Sequence, residues 1–288
     1  MTRLAFLGSP VEAATVLSGL HSAGHEIALV VTMPERRRSR RSAPEATPVG
    51  ALAAELGLST TADPSEVATA GVELGVVVAY GRILRKPLID QVPLVNLHFS
   101  LLPRWRGAAP VERAILAGDE ETGVCLMAIE EGLDTGPVYG CRSTAISPGE
   151  HAGPLRERLS VLGTQLLVAR LESGLGTPVA QHGTATHAAK IDKDERRLEW
   201  SEPSEHLERV VRVGRAFSTW RGRRVIVESA TVSEGPPGAE PGTLVGDLVA
   251  TGEGWLRLVQ LRGEGRTPQG FGEWARGSRP LPGERFGD

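Results

Sequence analysis

Arg3-Leu4-Ala5-Phe6-Leu7-Gly8-Ser9-Pro10 opens the chain with an apolar run that ends in a turn. A short run of that character, closed by Gly-Ser-Pro, reads as a buried strand. Val11, Ala14, Leu17 and Leu20 then recur at helical spacing, with Gly24 near the stop. Glu26 to Thr32 repeats the apolar strand pattern. Strand, helix and strand in succession predict a βαβ start. The expected class is therefore α/β, a Rossmann-like, mostly parallel sheet with helices on both faces. Gly8 is followed by Ser-Pro, so the Gly-x-Gly-x-x-Gly fingerprint of a dinucleotide site is missing.

Outward from that start, Val76 to Ala79 reads as a central strand that leads into Tyr80-Gly81, and Leu84 to Ile89 as a helix. Val95 to His98 is a further strand pattern, and Pro110 to Ala117 a helix with proline in its first turn. Gly123 to Ile129 and Val138 to Ile146 read as strands on either side of a turn-rich loop, 130–136. Leu155 to Leu171 carries a helical apolar stripe. The character changes near Gly174. Thr177 to Glu202 is polar and mixed, a linker by composition. A helix from Ser204 to about Gly214 follows, then strand patterns at Val225 to Val232, Gly242 to Ala250 and Trp255 to Leu261. Short strands at this spacing predict a small β-barrel or sandwich. The expected division is an α/β domain at 1–180, a linker at 181–202 and a smaller β domain at 203–288.

The chain's 288 residues are 40% hydrophobic and 23% charged, enough for such cores, and a net charge of −3 gives no global pull on nucleic acid. No stretch approaches the roughly 20 apolar residues of a membrane span. The apolar part of the N-terminus is too short for a secretory signal. Cys125 and Cys141 are the only cysteines and lack metal-type spacing. They fit a reducing cytoplasm and predict no disulfide framework. No metal site is expected.

Asn96 and His98 lie two apart at the end of their strand pattern, so their side chains share one face. An amide beside an imidazole can hold and polarise a carbonyl, and the C-terminal edge of a parallel sheet is where such folds bind ligands. A backbone-satisfied pair at a strand end is the plainer alternative. Asp134, within Gly132-Leu133-Asp134-Thr135-Gly136, can orient the histidine and accept a proton. It can equally stabilise its own turn. Ser100-Leu101-Leu102-Pro103 offers backbone groups and apolar walls to a flat ligand. Arg36, Arg37, Arg38, Arg40 and Arg41 fall within six positions. They suit a phosphate backbone, or form a solvated charge run.

Asn96-Leu-His-Phe-Ser-Leu-Leu-Pro-Arg-Trp-Arg-Gly-Ala-Ala-Pro110 resembles the core signature of the tetrahydrofolate-dependent formyltransferases. Val77 to Gly81, Gly118 to Val124 and Gly132 to Gly136 resemble further blocks of that family in the same order. Ile191 to Trp200 is similar to its linker and Pro282 to Phe286 to its C-terminus. The resemblance covers nearly the whole chain and is strongest over 76–140.

The resemblance implies a catalytic triad of Asn96, His98 and Asp134. It implies a 10-formyltetrahydrofolate site lined by Ser100, Leu101, Leu102 and Pro103 and by the loop of Ala79, Tyr80 and Gly81. It implies that Arg36, Arg37, Arg38, Arg40 and Arg41 grip a tRNA acceptor arm, and that the C-terminal domain is an OB-like barrel that contacts tRNA. The expected reaction is formyl transfer to the α-amine of initiator methionyl-tRNA by a monomeric cytoplasmic enzyme. The alternative acceptor is an amino sugar nucleotide or another small amine.

Overall fold

The computed structural model describes residues 2–37 and 43–287. In chain order the first elements are β1 (Arg3–Gly8), α1 (Val11–Ser22), β2 (Glu26–Val31), β3 (Arg36–Arg37), β4 (Pro44–Glu45), α2 (Pro48–Glu55) and β5 (Thr60–Thr61). There follow β6 (Leu74–Val78), α3 (Lys86–Ile89), β7 (Leu94–His98), β8 (Arg106–Gly107), α4 (Pro110–Ala117), β9 (Glu121–Ala128), β10 (Val138–Ala145), α5 (Ala152–Ser173) and β11 (His187–Ala188). The last are α6 (Ser204–Val213), β12 (Ala216–Trp220), β13 (Arg223–Ser233), β14 (Leu244–Val245), β15 (Leu248–Ala250), β16 (Trp255–Gly263), β17 (Gln269–Gly270) and α7 (Phe271–Ser278). Two compact units result. One comprises Met1–Val111, Glu121–Ala145 and Arg156–Ala189; the other comprises Glu112–Glu120, Ile146–Leu155 and Lys190–Asp288.

The first unit is built on a seven-stranded sheet in the order β10-β9-β7-β6-β1-β2-β5. β5, β2, β1, β6 and β7 run parallel, while β9 is antiparallel to β7 and β10 antiparallel to β9. This is the α/β, mostly parallel class expected from the opening βαβ run. β6, Leu-Gly-Val-Val-Val, is buried at every position, as a strand covered on both faces must be. The chain leaves β1 for β2 on one side and returns to β6 on the other. Such a reversal of strand order opens a crevice at the C-terminal ends of the strands. Ala5, Leu7, Val31, Val77 and Leu94 pack one face of the sheet against Val67, Leu84 and Leu88.

One expectation is overturned. Cys125 and Cys141 form a disulfide, with their Cα atoms 4.1 Å apart. The register of β9 with β10 sets Cys141 directly opposite Cys125. A spacing of 16 residues in sequence carries no trace of that register; only the hairpin pairing supplies it. The segment that carries the arginine run contains a short antiparallel pair, Arg36 with Glu45 and Arg37 with Pro44.

The second unit is an antiparallel sheet, β12-β13-β16-β15-β14, with β17 on β16. Trp220 of β12 bridges to Phe286, and Thr243, beside β14, bridges to Arg285. The tail thus joins both ends of the sheet and closes it into a small barrel. Trp200, Trp220, Trp274 and Phe286 meet in its core, with ring centroids 4.7–5.7 Å apart. Leu207, Val210 and Val211 of α6 pack into the same core.

Candidate active site

β7 delivers the first two candidates. Asn96 pairs in register with Met127 and His98 with Cys125, so both project from the same face, as their spacing of two predicts. Asn96 is half-buried, and His98 is 6% exposed. The loop from β9 to β10 returns over that face and brings in Asp134. Its Oδ2 lies 3.7 Å from His98 Nδ1. Its Oδ1 accepts a long 3.5 Å hydrogen bond from Asn96 Nδ2. Three residues separated by as many as 38 positions in sequence therefore converge.

Asp134 is held in an unusual conformation, with φ +53°. Aspartate tolerates the left-handed region better than most side chains. Gly136 closes the turn. A Cβ there would lie 2.0 Å from the Ala128 carbonyl oxygen, a distance no side chain can occupy. The Gly-Leu-Asp-Thr-Gly spacing is thus a steric requirement at its last position as well as a turn signal.

The carboxylate is also gripped from outside its loop. The Gly107 N–H of β8 donates to Asp134 Oδ2 at 2.8 Å. Gly107 has φ +122°, and a Cβ there would meet the Ala188 carbonyl oxygen at 2.8 Å. β8 can approach β11 this closely only with glycine. The Asp134 and Gly136 carbonyls both accept from Gln181 Nε2, at 2.9 and 2.8 Å. Gln181 Oε1 in turn accepts from Arg106 Nε and Nη2, at 3.0 and 2.7 Å.

The imidazole is anchored as well. His98 Nε2 lies 2.8 Å from the Trp105 carbonyl oxygen, which can only accept, so Nε2 carries the hydrogen. Trp105 sits at φ +62°. Its N–H donates to Thr186 Oγ1 at 2.8 Å. Ser100 Oγ donates to the Arg104 carbonyl at 2.6 Å, so this hydroxyl shapes the turn after β7. Leu101, Leu102 and Pro103 are half-buried and follow the site directly, with a cis bond between Leu102 and Pro103.

The remaining candidates are more dispersed. Ala79 and Gly81 are exposed at the end of β6, both with positive φ. Tyr80 is 3% exposed and packs in the core with Leu84 and Leu88. Burial pushes its phenol above the ordinary tyrosine value, opposed by the positive charge of Arg82. Arg36 and Arg37 lie in β3; Arg38, Arg40 and Arg41 lie outside the described residues. Gly107, Trp105, Thr186 and Gln181 were not singled out from sequence. The Trp-Arg-Gly run beside the site marked the first two only by proximity, and nothing in the polar 177–202 stretch marked the others.

Residues 2–171 match the family model described as formyl transferase, and residues 190–279 the one described as formyl transferase, C-terminal domain. The chain is similar to the methionyl-tRNA formyltransferase of Dinoroseobacter shibae, 41% identical over 292 residues, which covers 96% of this chain and 97% of that protein. Among solved structures, methionyl-tRNA formyltransferase from Clostridium thermocellum superposes with a TM-score of 0.60 at 15% identity, over 82% of this chain and 96% of the other. HypX from Aquifex aeolicus, in complex with tetrahydrofolic acid, superposes with a TM-score of 0.68 at 16% identity, over 98% of this chain and 48% of HypX. At such identities the two superpositions speak for the fold.

Proposed function

The chain belongs to the formyl transferase family, and on that premise we propose that it transfers the formyl group of 10-formyltetrahydrofolate to the α-amine of initiator methionyl-tRNA. The observation that carries this reading is the convergence of Asn96, His98 and Asp134 at the C-terminal edge of β7. The full-length likeness to a protein named for this reaction favours tRNA as the acceptor over a small amine. Both substrates belong to the cytoplasm.

10-Formyltetrahydrofolate supplies the formyl carbon. The half-buried Leu101, Leu102 and Pro103, with the exposed backbone at Ala79 and Gly81, fit a flat, partly apolar ligand. Ser100 contributes through the turn it fixes, since its hydroxyl is already engaged. The five arginines at 36–41 supply cationic contacts to tRNA phosphates, and the C-terminal barrel binds the tRNA backbone.

The amine attacks the formyl carbon, an N–C bond forms, and the bond from that carbon to the folate nitrogen breaks. Asn96 Nδ2 donates to the formyl oxygen as negative charge builds on it. His98 is fixed through Nε2, so it works at Nδ1, the edge that faces Asp134. With a proton there, His98 is the second donor to the oxygen. Asp134 orients that edge and accepts the proton the amine loses, through a water that passes it on to the departing nitrogen. Holding both substrates on one rigid face supplies much of the remaining acceleration.

The test is an assay of 10-formyltetrahydrofolate against methionyl-initiator-tRNA and against free amino sugar nucleotides. Transfer to the tRNA is expected. Transfer to the sugars alone would overturn the acceptor.

A further inference from the structure

We propose that Gln181 is a positioning residue for Asp134, and that Arg106 sets the orientation of the Gln181 amide. The inference rests on the reading of Asp134 as the catalytic carboxylate. Gln181 lies between the two family matches, which end at 171 and resume at 190.

The geometry of the amide is fully determined by its neighbours. Arg106 can only donate, and its Nε and Nη2 both point at Oε1. That turns Nε2, with both its hydrogens, toward the loop. One amide group thus serves two carbonyls, those of Asp134 and Gly136. These are the carbonyl of the left-handed residue itself and that of the glycine two residues on. A backbone in that region persists only where its surroundings over-determine it. Gln181 is such a surrounding contact, and it acts on the main chain of the very residue whose side chain must meet His98.

The same short strand supplies both grips. Gly107 of β8 holds the carboxylate directly through its N–H. Arg106, its neighbour, reaches the backbone of the loop through Gln181. Asp134 is therefore fixed at both ends, side chain and main chain, from one two-residue element. Loss of the Gln181 donors frees the main-chain end, and the carboxylate then drifts relative to Nδ1 of His98.

The experiment compares Gln181→Ala, Gln181→Glu, Asp134→Asn and the Gln181→Ala/Asp134→Asn double variant in the full-length protein, with 10-formyltetrahydrofolate and methionyl-tRNA. Gln181→Glu keeps the length of the side chain and its link to Arg106 but cannot donate to either carbonyl. Both Gln181 variants should lower kcat by about 10- to 100-fold, with KM for both substrates within about twofold, the pattern of a small misplacement. In the Asp134→Asn background, Gln181→Ala should add less than about a further twofold, because residues that act through one group are not additive. Wild-type kcat in Gln181→Glu, a change confined to KM, or full multiplication in the double variant would each overturn the inference. An inactive Asp134→Asn with a fully active Gln181→Ala removes this inference alone. Full turnover by Asp134→Asn removes the reading beneath it as well.

Discussion

His98 Nε2 donates to the Trp105 carbonyl oxygen at 2.8 Å. This bond decides which edge of the ring can take part in chemistry. A ring flip would break this bond to a half-buried carbonyl, at a cost of about 0.5–1.5 kcal/mol. The Nδ1 edge therefore stays turned to Asp134, and any proton that moves through the histidine moves there.

His98→Ala removes that edge. We expect kcat to fall by about 10²–10³, the usual cost of removing one oxyanion donor. Unfolding in urea should show a loss of only about 1–3 kcal/mol, from the lost hydrogen bond to the Trp105 carbonyl and the space the ring leaves. Single-turnover measurement well below the melting temperature separates the two effects. Near-normal turnover would remove His98 from the mechanism.

Gly107→Ala tests the close approach of β8 to β11. The added methyl meets the Ala188 carbonyl oxygen and sits on a backbone at φ +122°. We expect a stability loss of about 1–3 kcal/mol and a drop in kcat, since the N–H that holds Asp134 Oδ2 moves with the strand. A variant with native stability and native turnover would show that the approach is not needed.

The Cys125–Cys141 bond closes the hairpin that carries Asp134. Closing a loop of this length stabilises by about 3 kcal/mol through the unfolded state. Cys141→Ser should therefore unfold at lower denaturant than the parent without reductant, and the two should converge once the parent is reduced. Identical curves in both conditions would mean that the bond does not form in solution.

His151 provides a pH dependence for the C-terminal unit. Burial lowers its pKa below the ordinary 6.5; the positive charge of Arg212 adds to this, and Glu228 opposes it. The unfolded chain therefore takes up the proton first as pH falls. The unit's stability is whole above pH 6.5 and declines as pH drops from there toward the folded-state value. His151→Gln should flatten a plot of melting temperature against pH in that window. An unchanged slope would assign the dependence elsewhere.

Replacing Arg36, Arg37, Arg38, Arg40 and Arg41 with glutamine should weaken tRNA binding and reduce its salt dependence. Each lost phosphate contact lowers the slope of log K against log salt by roughly 0.7–0.9. A filter-binding titration across salt concentrations reads this directly. Unchanged affinity and slope would return the run to a solvated surface.

Much of this was legible in the residues. The apolar runs of β1, β2 and β6 and the helical stripe of α1 determine the sheet through local periodicity, which sequence displays. Asn96 and His98 share a face because of strand geometry alone. The register of β9 with β10 is a long-range choice, so the disulfide was invisible. β12, Ala-Phe-Ser-Thr-Trp, alternates buried and half-buried positions over only five residues and followed a helix too closely to stand out. The grip on Asp134 escaped for a different reason. It is made by the main-chain N–H of Gly107 and by a neutral amide at 181, and neither carries a chemical signature of its own.

The contacts of Gln181, Thr186 and Ala188 with the Trp105–Gly107 segment bear on how this protein can be recombined with its relatives. A chimera spliced at residue 171, where the first family match ends, would pair one parent's His98 and Asp134 with another parent's version of the strap that holds them. Such a hybrid should fold and still be a poor catalyst. A splice beyond Ala189 keeps the strap with the site it holds.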